Sequence, residues 1–245
     1  IKRHGKWYIY GHILAASAIF SLALNSQSRS DASIDNSLCV QDFSTMNMVL
    51  EYDYTTPKKD VLLKWISFDK VIFPELIRIS NVKHLKPVPN KWELSTDRGD
   101  LASYNYVNKE NPTDQEISDY LSNNNLNNII DGEGRWEVNL DVEFEKIIYD
   151  NTKWEDVISE LLIFERWMNA DMYIQSVDSL WWNELGKKIF LSRKDLIYAG
   201  FSIDTVEIGA AQKMGYWKVD LWKLEVWAIK FLRISSVPKN SWPDF

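Results

Sequence analysis

The sequence predicts an α+β fold: a mainly antiparallel sheet packed by a few helices, preceded by an N-terminal apolar segment. Three observations carry that reading. Trp136, Val138, Leu140, Val142 and Phe144 alternate with Glu137, Asn139, Asp141, Glu143 and Glu145, the period of two expected of a strand with one packed and one solvated face. Thr113-Asp114-Gln115-Glu116 and Thr152-Lys153-Trp154-Glu155 both have the spacing in which a Thr and a Glu three residues on satisfy the free N–H groups of a helix start. The 245 residues include 45% hydrophobic and 26% charged side chains, an ordinary globular balance with enough chain to bury a sizeable core.

At the N-terminus Lys2, Arg3 and Lys6 precede Trp7, Tyr8 and Tyr10, and the twelve residues from Ile13 to Leu24 carry no charge. A basic lead, a short apolar run and small residues beyond it follow the order of a secretory signal peptide. Extending the apolar stretch back to Trp7 gives eighteen residues, just long enough for a retained membrane anchor. A twelve-residue apolar run also suits a buried core helix. The first two readings keep the basic end in the cytoplasm and export the rest, to the bacterial periplasm or the outer face of the inner membrane. The expected organisation is residues 1–28 as signal peptide or signal anchor, residues 29–39 as a polar linker, and residues 40–245 as one exported α+β domain. Membrane contact is expected only through residues 7–24, if they are retained. Cys39 is the only cysteine, which excludes an intramolecular disulfide. Leu38 stands where a lipid-modified cysteine is preceded by a small residue, so a free thiol is expected.

Along the body, Met48 to Thr55 alternates as a strand, and Val61 to Ile79 is strand-rich but broken by Pro74. Trp92–Leu94 and Leu101–Val107 flank Thr96-Asp97-Arg98-Gly99-Asp100, which predicts a hairpin turned at Gly99. The Arg98-Gly99-Asp100 triplet resembles the integrin-recognition tripeptide, and chance placement in a turn accounts for it. A helix is expected over Asp114 to Ser122, ended by the Asn-rich run Asn123–Asn128, then a turn at Asp131–Gly134 and the strand Trp136 to Phe144. Trp154, Val157, Ile158, Leu161, Leu162, Phe164 and Met168 follow at helical spacing, predicting a helix laid on the sheet. Met172–Val177 and Lys188–Leu191 read as extended and Ser192 as the cap of a short helix ending at Gly200, while Tyr216–Ile234 fits both a helical step and an alternation with one phase change, of which strand with a bulge or tight turn is preferred.

The chemistry is sparse. Of three histidines, His4, His12 and His84, only the last lies in the body. The patterns G-x-S-x-G, H-E-x-x-H and G-K-[ST] are absent, and the lone G-x-G, Gly132-Glu133-Gly134, is followed by Glu137 where a third Gly belongs. No catalytic triad, metal site or cofactor is therefore expected. Asp141, Glu143 and Glu145 share a strand face with successive members about 6.6 Å apart, near the separation used in glycoside hydrolysis. Alternating acids on a strand are most simply a solvated face.

The formal charge is −7, and −10 without Lys2, Arg3 and Lys6, which argues against nucleic acid as a partner and suits a basic protein. Twelve tryptophans supply candidate anchors for such a contact. Trp181 and Trp182 are adjacent and cannot both face one core. One of them, or Trp222 or Trp227, is expected to anchor the partner, with Asp141, Glu143 and Glu145 as the steering rim. The expectation is a non-catalytic exported binding protein. Its general profile resembles that of bacterial immunity proteins, which neutralise a toxin in the periplasm. A single-pass accessory subunit of a membrane complex is the alternative, and a carboxylate-dependent hydrolase the third reading.

Overall fold

A computed structural model describes residues 21–22, 38–43, 46–53, 60–68, 71–73, 76–85, 94–98, 109–110, 112–132, 138–150, 159–180, 183–203 and 210–237. These are mostly antiparallel sheet with one α-helix. In chain order the strands begin with β1 (Ser21–Leu22), β2 (Leu38–Phe43), β3 (Met46–Asp53), β4 (Asp60–Phe68), β5 (Val71–Phe73) and β6 (Leu76–Ile77). Strands β2 to β5 form an antiparallel meander, and β1 pairs with β6. Strand β7 (Ile79–Leu85) follows, then β8 (Leu94–Arg98), β9 (Lys109–Glu110), helix α1 (Asp114–Leu121) and β10 (Asn128–Gly132).

Helix α1 starts as its sequence dictates. The Thr113 side chain accepts from the Glu116 N–H, and the Glu116 carboxylate accepts from the Thr113 N–H. After the helix the Asn-rich run holds the chain through side-chain bonds. Asn127 accepts the Val61 N–H, and the Asn124 side chain donates to the Leu63 carbonyl. Polar residues that end a helix here also dock its far end on β4.

The C-terminal half holds β11 (Asn139–Tyr149), β12 (Leu161–Arg166), β13 (Met172–Val177), β14 (Glu184–Leu191), β15 (Ile197–Ile203), β16 (Gln212–Val219) and β17 (Ala228–Ser236). A five-stranded sheet runs in the order β14-β13-β17-β11-β7, and a three-stranded sheet in the order β12-β16-β15. One face of the five-stranded sheet contributes Val82, Leu140, Val142, Ile174, Leu232 and Ile234 to a buried cluster shared with Ile117 and Leu121 of α1 and with Leu161, Ile163, Trp217 and Val219 of the smaller sheet. Each such side chain, sealed from water, contributes roughly 1.5–3 kcal/mol relative to exposure. The two sheets and the helix therefore stand on a common core.

Several local expectations change. Residues 161–166 form a strand buried on both faces, not the second half of a helix. The run Leu161–Phe164 is apolar at every position, and in a doubly covered strand that pattern also satisfies helical spacing. The 154–158 part of that expected helix, and its capping box, lie outside the described residues, as do Gly99 and Asp100 of the expected hairpin turn. Thr96, Asp97 and Arg98 lie in β8, which pairs with β10 and β9. The short helix after Ser192 is a single 3-10 turn, Arg193–Asp195, and the chain then runs as β15 through Gly200. Among the described residues α1 is the one α-helix, against the few expected. The 216–234 stretch is two strands, β16 and β17, joined through a 3-10 turn at Leu221–Leu224. Of residues 1–28 only Ser21 and Leu22 are described, so the expected signal or anchor otherwise lies outside them. Strand β2 begins at Leu38, inside the expected linker. Among the described residues no helix is long and apolar enough to cross a membrane.

Candidate functional site

The acidic row is the first place to look, and the fold divides it. Asp141 sits on β11 opposite Arg233 of β17. The guanidinium donates through Nε and Nη2 to the two carboxylate oxygens at 2.7 and 2.9 Å, and Asp141 is fully buried. This bidentate geometry is the strongest form of the pair, and the hydrogen bond to Asp141 raises the Arg233 pKa above its ordinary value. Asp141 therefore keeps the face the alternation gives it, but that face is covered at this position and not solvated.

Glu143 is next along. Between Glu143 and Ile148 the β11–β17 register slips, because β11 carries extra residues there, a bulge that bends the strand and re-aims its side chains. Lys230 fills the gap, donating to the Phe144 carbonyl and pairing with Glu143 at 3.4 Å. Glu145 alone of the three is exposed. The structure thus separates the row into a buried structural carboxylate, a paired one and an exposed one.

The tryptophans behave in the opposite way. Trp222 is 57% exposed and Trp227 82% exposed, although both lie in the link between two strands of the core. That link is fixed in four ways. Leu221 and Leu224 are fully buried in the main core cluster. The buried Glu160 carboxylate accepts the Leu221 N–H at 3.0 Å, holding the start of the 3-10 turn. Glu225 closes the turn in the left-handed conformation, φ 58°, with its N–H on the Trp222 carbonyl. Gly186 of β14 lies so close beneath that a Cβ there would stand 2.0 Å from the Leu224 carbonyl oxygen. Beyond the turn the Asp150 N–H donates to the Trp227 carbonyl at 2.8 Å, which ties the residue to the end of β11. Ile147 and Tyr149, turned outward past the bulge, are exposed on that same strand end, as is Leu185 on β14.

The arrangement is a rigid aromatic platform. A tryptophan is large and normally mostly covered, and a left-handed non-glycine residue is held only where its surroundings over-determine it. Together they fix the backbone that carries two exposed indoles, which removes part of the ordering cost of an interface anchor. Charges at the platform are balanced: Lys223 pairs with Asp220 at 3.6 Å, and Lys187 lies 4.0 Å from Glu225.

Trp181 and Trp182 lie outside the described residues. His84 is half-buried, and its backbone N–H donates to Asp114, which also pairs with Lys83. Among the described residues no group of three His, Cys, Asp or Glu side chains is placed to hold a metal ion. Sequence reasoning missed Glu160, Gly186 and the buried Glu165. Of these only Gly186 carried a signal, as an isolated glycine in a strand pattern, which marks a close backbone approach. No known protein family, no curated protein and no solved structure matches the chain.

Proposed function

We propose that this chain is a non-catalytic binding protein that grips a protein partner through Trp222 and Trp227. One observation carries the reading: two tryptophans stand largely exposed on a link whose Leu221 and Leu224 are buried in the core and whose Leu221 N–H is held by the buried Glu160 carboxylate. A backbone fixed before binding loses little freedom on complex formation, which leaves more of the indoles' burial to appear as affinity. Glu145, the exposed member of the acidic row, together with the overall charge of −7, favours a basic partner through faster encounter. Asp141 and Glu143, each engaged by a cation, support a structural role for that row in place of acid–base chemistry. Export and a toxin-neutralising role of the immunity kind complete the proposal. They rest on the basic and apolar order of residues 2–24 and on the acidic, aromatic-rich body.

The test is capture of partners from native membrane and soluble fractions by the full chain and by a Trp222→Ala/Trp227→Ala double variant. The reading predicts a basic protein retained by the first and lost from the second. Equal recovery on both removes the platform from the contact, and recovery of a membrane complex in place of a soluble protein favours an accessory subunit.

A further inference from the structure

A second buried carboxyl lies away from the aromatic platform, and its surroundings are of another kind. Glu165 and Arg166 end β12, and both are fully buried. Glu165 stands opposite Gly215 of β16, on the same face of the ladder. Over Gly215 the space is taken from outside the sheet: a Cβ there would meet Met168 Cγ at 2.7 Å and Leu196 Cδ2 at 3.1 Å. Met168 reaches that position because the chain leaves β12 through two successive left-handed residues, Trp167 at φ 73° and Met168 at φ 56°. L side chains adopt this backbone only when packing holds it.

Neither oxygen of the Glu165 carboxyl is met by a donor in full hydrogen-bonding geometry, and the N–H groups of the turn only approach it. Burial pushes its pKa well above the ordinary carboxylate range. The N–H groups of Asn169, Met168 and Ala170, and the Arg166 charge, pull the other way without offsetting it. The remaining charges around the turn are already engaged or turned outward. Arg193, on the 3-10 turn after β14, gives its guanidinium and backbone N–H to Asp171 at 2.7 Å. Lys194 beside it is exposed. Lys213 of β16 lies 5.9 Å from the centre of the Tyr198 ring. Tyr216 projects to the other face, against Phe164. An ionised carboxylate in this place has only the turn's N–H groups and the Arg166 charge to replace its hydration, and these do not offset the burial unless water is admitted.

We propose that Glu165 is a proton-operated latch on the turn at residues 167–170: the neutral acid lets Met168 close over Gly215, and ionisation opens the turn to water. The latch is independent of the partner and of the Trp222–Trp227 platform. It controls how Trp167, 37% exposed in the closed form, is presented to solvent.

The linkage fixes the sign. In the open turn Glu165 titrates as an ordinary carboxyl, and in the closed turn it keeps its proton to higher pH. Opening is therefore coupled to release of one proton between those two values. The opening equilibrium rises tenfold per pH unit within that window and is level outside it.

Amide hydrogen exchange on the full chain, corrected for the intrinsic pH dependence of exchange, reads this directly. Protection at residues 167–170 is predicted to fall about tenfold per pH unit above the ordinary carboxylate range and then level off, while Ile174 and Leu232 in the five-stranded sheet hold constant. Glu165→Gln is predicted to remove the slope. A slope that survives in Glu165→Gln overturns the latch. If that variant fails to fold, the carboxyl carbon shift of Glu165 in the unaltered chain decides. Titration near the ordinary Glu value contradicts the proposal, and titration well above it, in step with the loss of protection, supports it.

Discussion

Strand β17 joins two regions that treat their residues in contrary ways. At its middle Arg233, on the face away from the main core, closes on the fully buried Asp141. Just before its start Trp227 is turned out and is the most exposed large hydrophobic residue described. Residue type alone predicts the reverse, with the acid wet and the indole covered. The contrast separates a group that serves the fold from one that, on the proposed reading, meets a partner. A buried ion pair is expensive to desolvate and gives little net stability, but once assembled it cannot lose one member. An exposed indole adds little to folding and much to a contact. On the proposed reading, stability and recognition fall to positions six residues apart, Arg233 inside β17 and Trp227 just before it.

The contrast breaks most readily at the pair. Asp141→Asn is predicted to lower the free energy of unfolding by about 3 kcal/mol, because it leaves the Arg233 guanidinium in the sheet with only the exposed Glu184 carboxylate, 3.4 Å away, as its counter-charge. The double variant Asp141→Asn/Arg233→Met recovers most of that loss, and denaturant titration checks both. An Asp141→Asn change within about 0.5 kcal/mol of the parent places the carboxylate on the surface after all. Gly186→Ala sharpens the comparison from the other side. At φ 62° and with the Leu224 carbonyl in the way, an added Cβ strains β14 and displaces the 3-10 turn. The predicted cost is about 2 kcal/mol, with partner affinity reduced although neither tryptophan is touched. The smallest effect is expected at Glu145. Glu145→Lys leaves stability within about 0.5 kcal/mol and slows association with a basic partner a few-fold at low salt, an effect that fades as salt screens it.

The parts of this molecule that were legible in its sequence are those settled by neighbours along the chain. Thr113 and Glu116 cap α1 from three residues apart, and the alternation of Leu140, Val142 and Phe144 marks a core face that β11 does present. The illegible parts were settled from afar. Arg233 reaches Asp141 across 92 residues, so no local pattern separates a buried carboxylate from its solvated neighbour Glu145. Leu161–Phe164 reads as helix or as doubly covered strand until β16 is known to lie alongside. Residues 94–98 look like half of a tight hairpin because the turn signal is local, whereas β10, their longest pairing, begins thirty residues later. The tryptophans divide in the same way. Their number announces large buried or interfacial area, but only Leu221, Leu224, Glu160 and Gly186 together fix Trp222 and Trp227 outside.

The central claim is that the two indoles make the contact and contribute little to the fold. Once the partner is in hand, its dissociation from the full chain and from the Trp222→Ala and Trp227→Ala variants tests this directly, with the unfolding midpoint of each variant measured in the same buffer. The account predicts that at least one variant dissociates about 30-fold faster, the size of a 2 kcal/mol anchor, with its midpoint unchanged. Unchanged dissociation, or a loss of binding that merely follows a lowered midpoint, would contradict it.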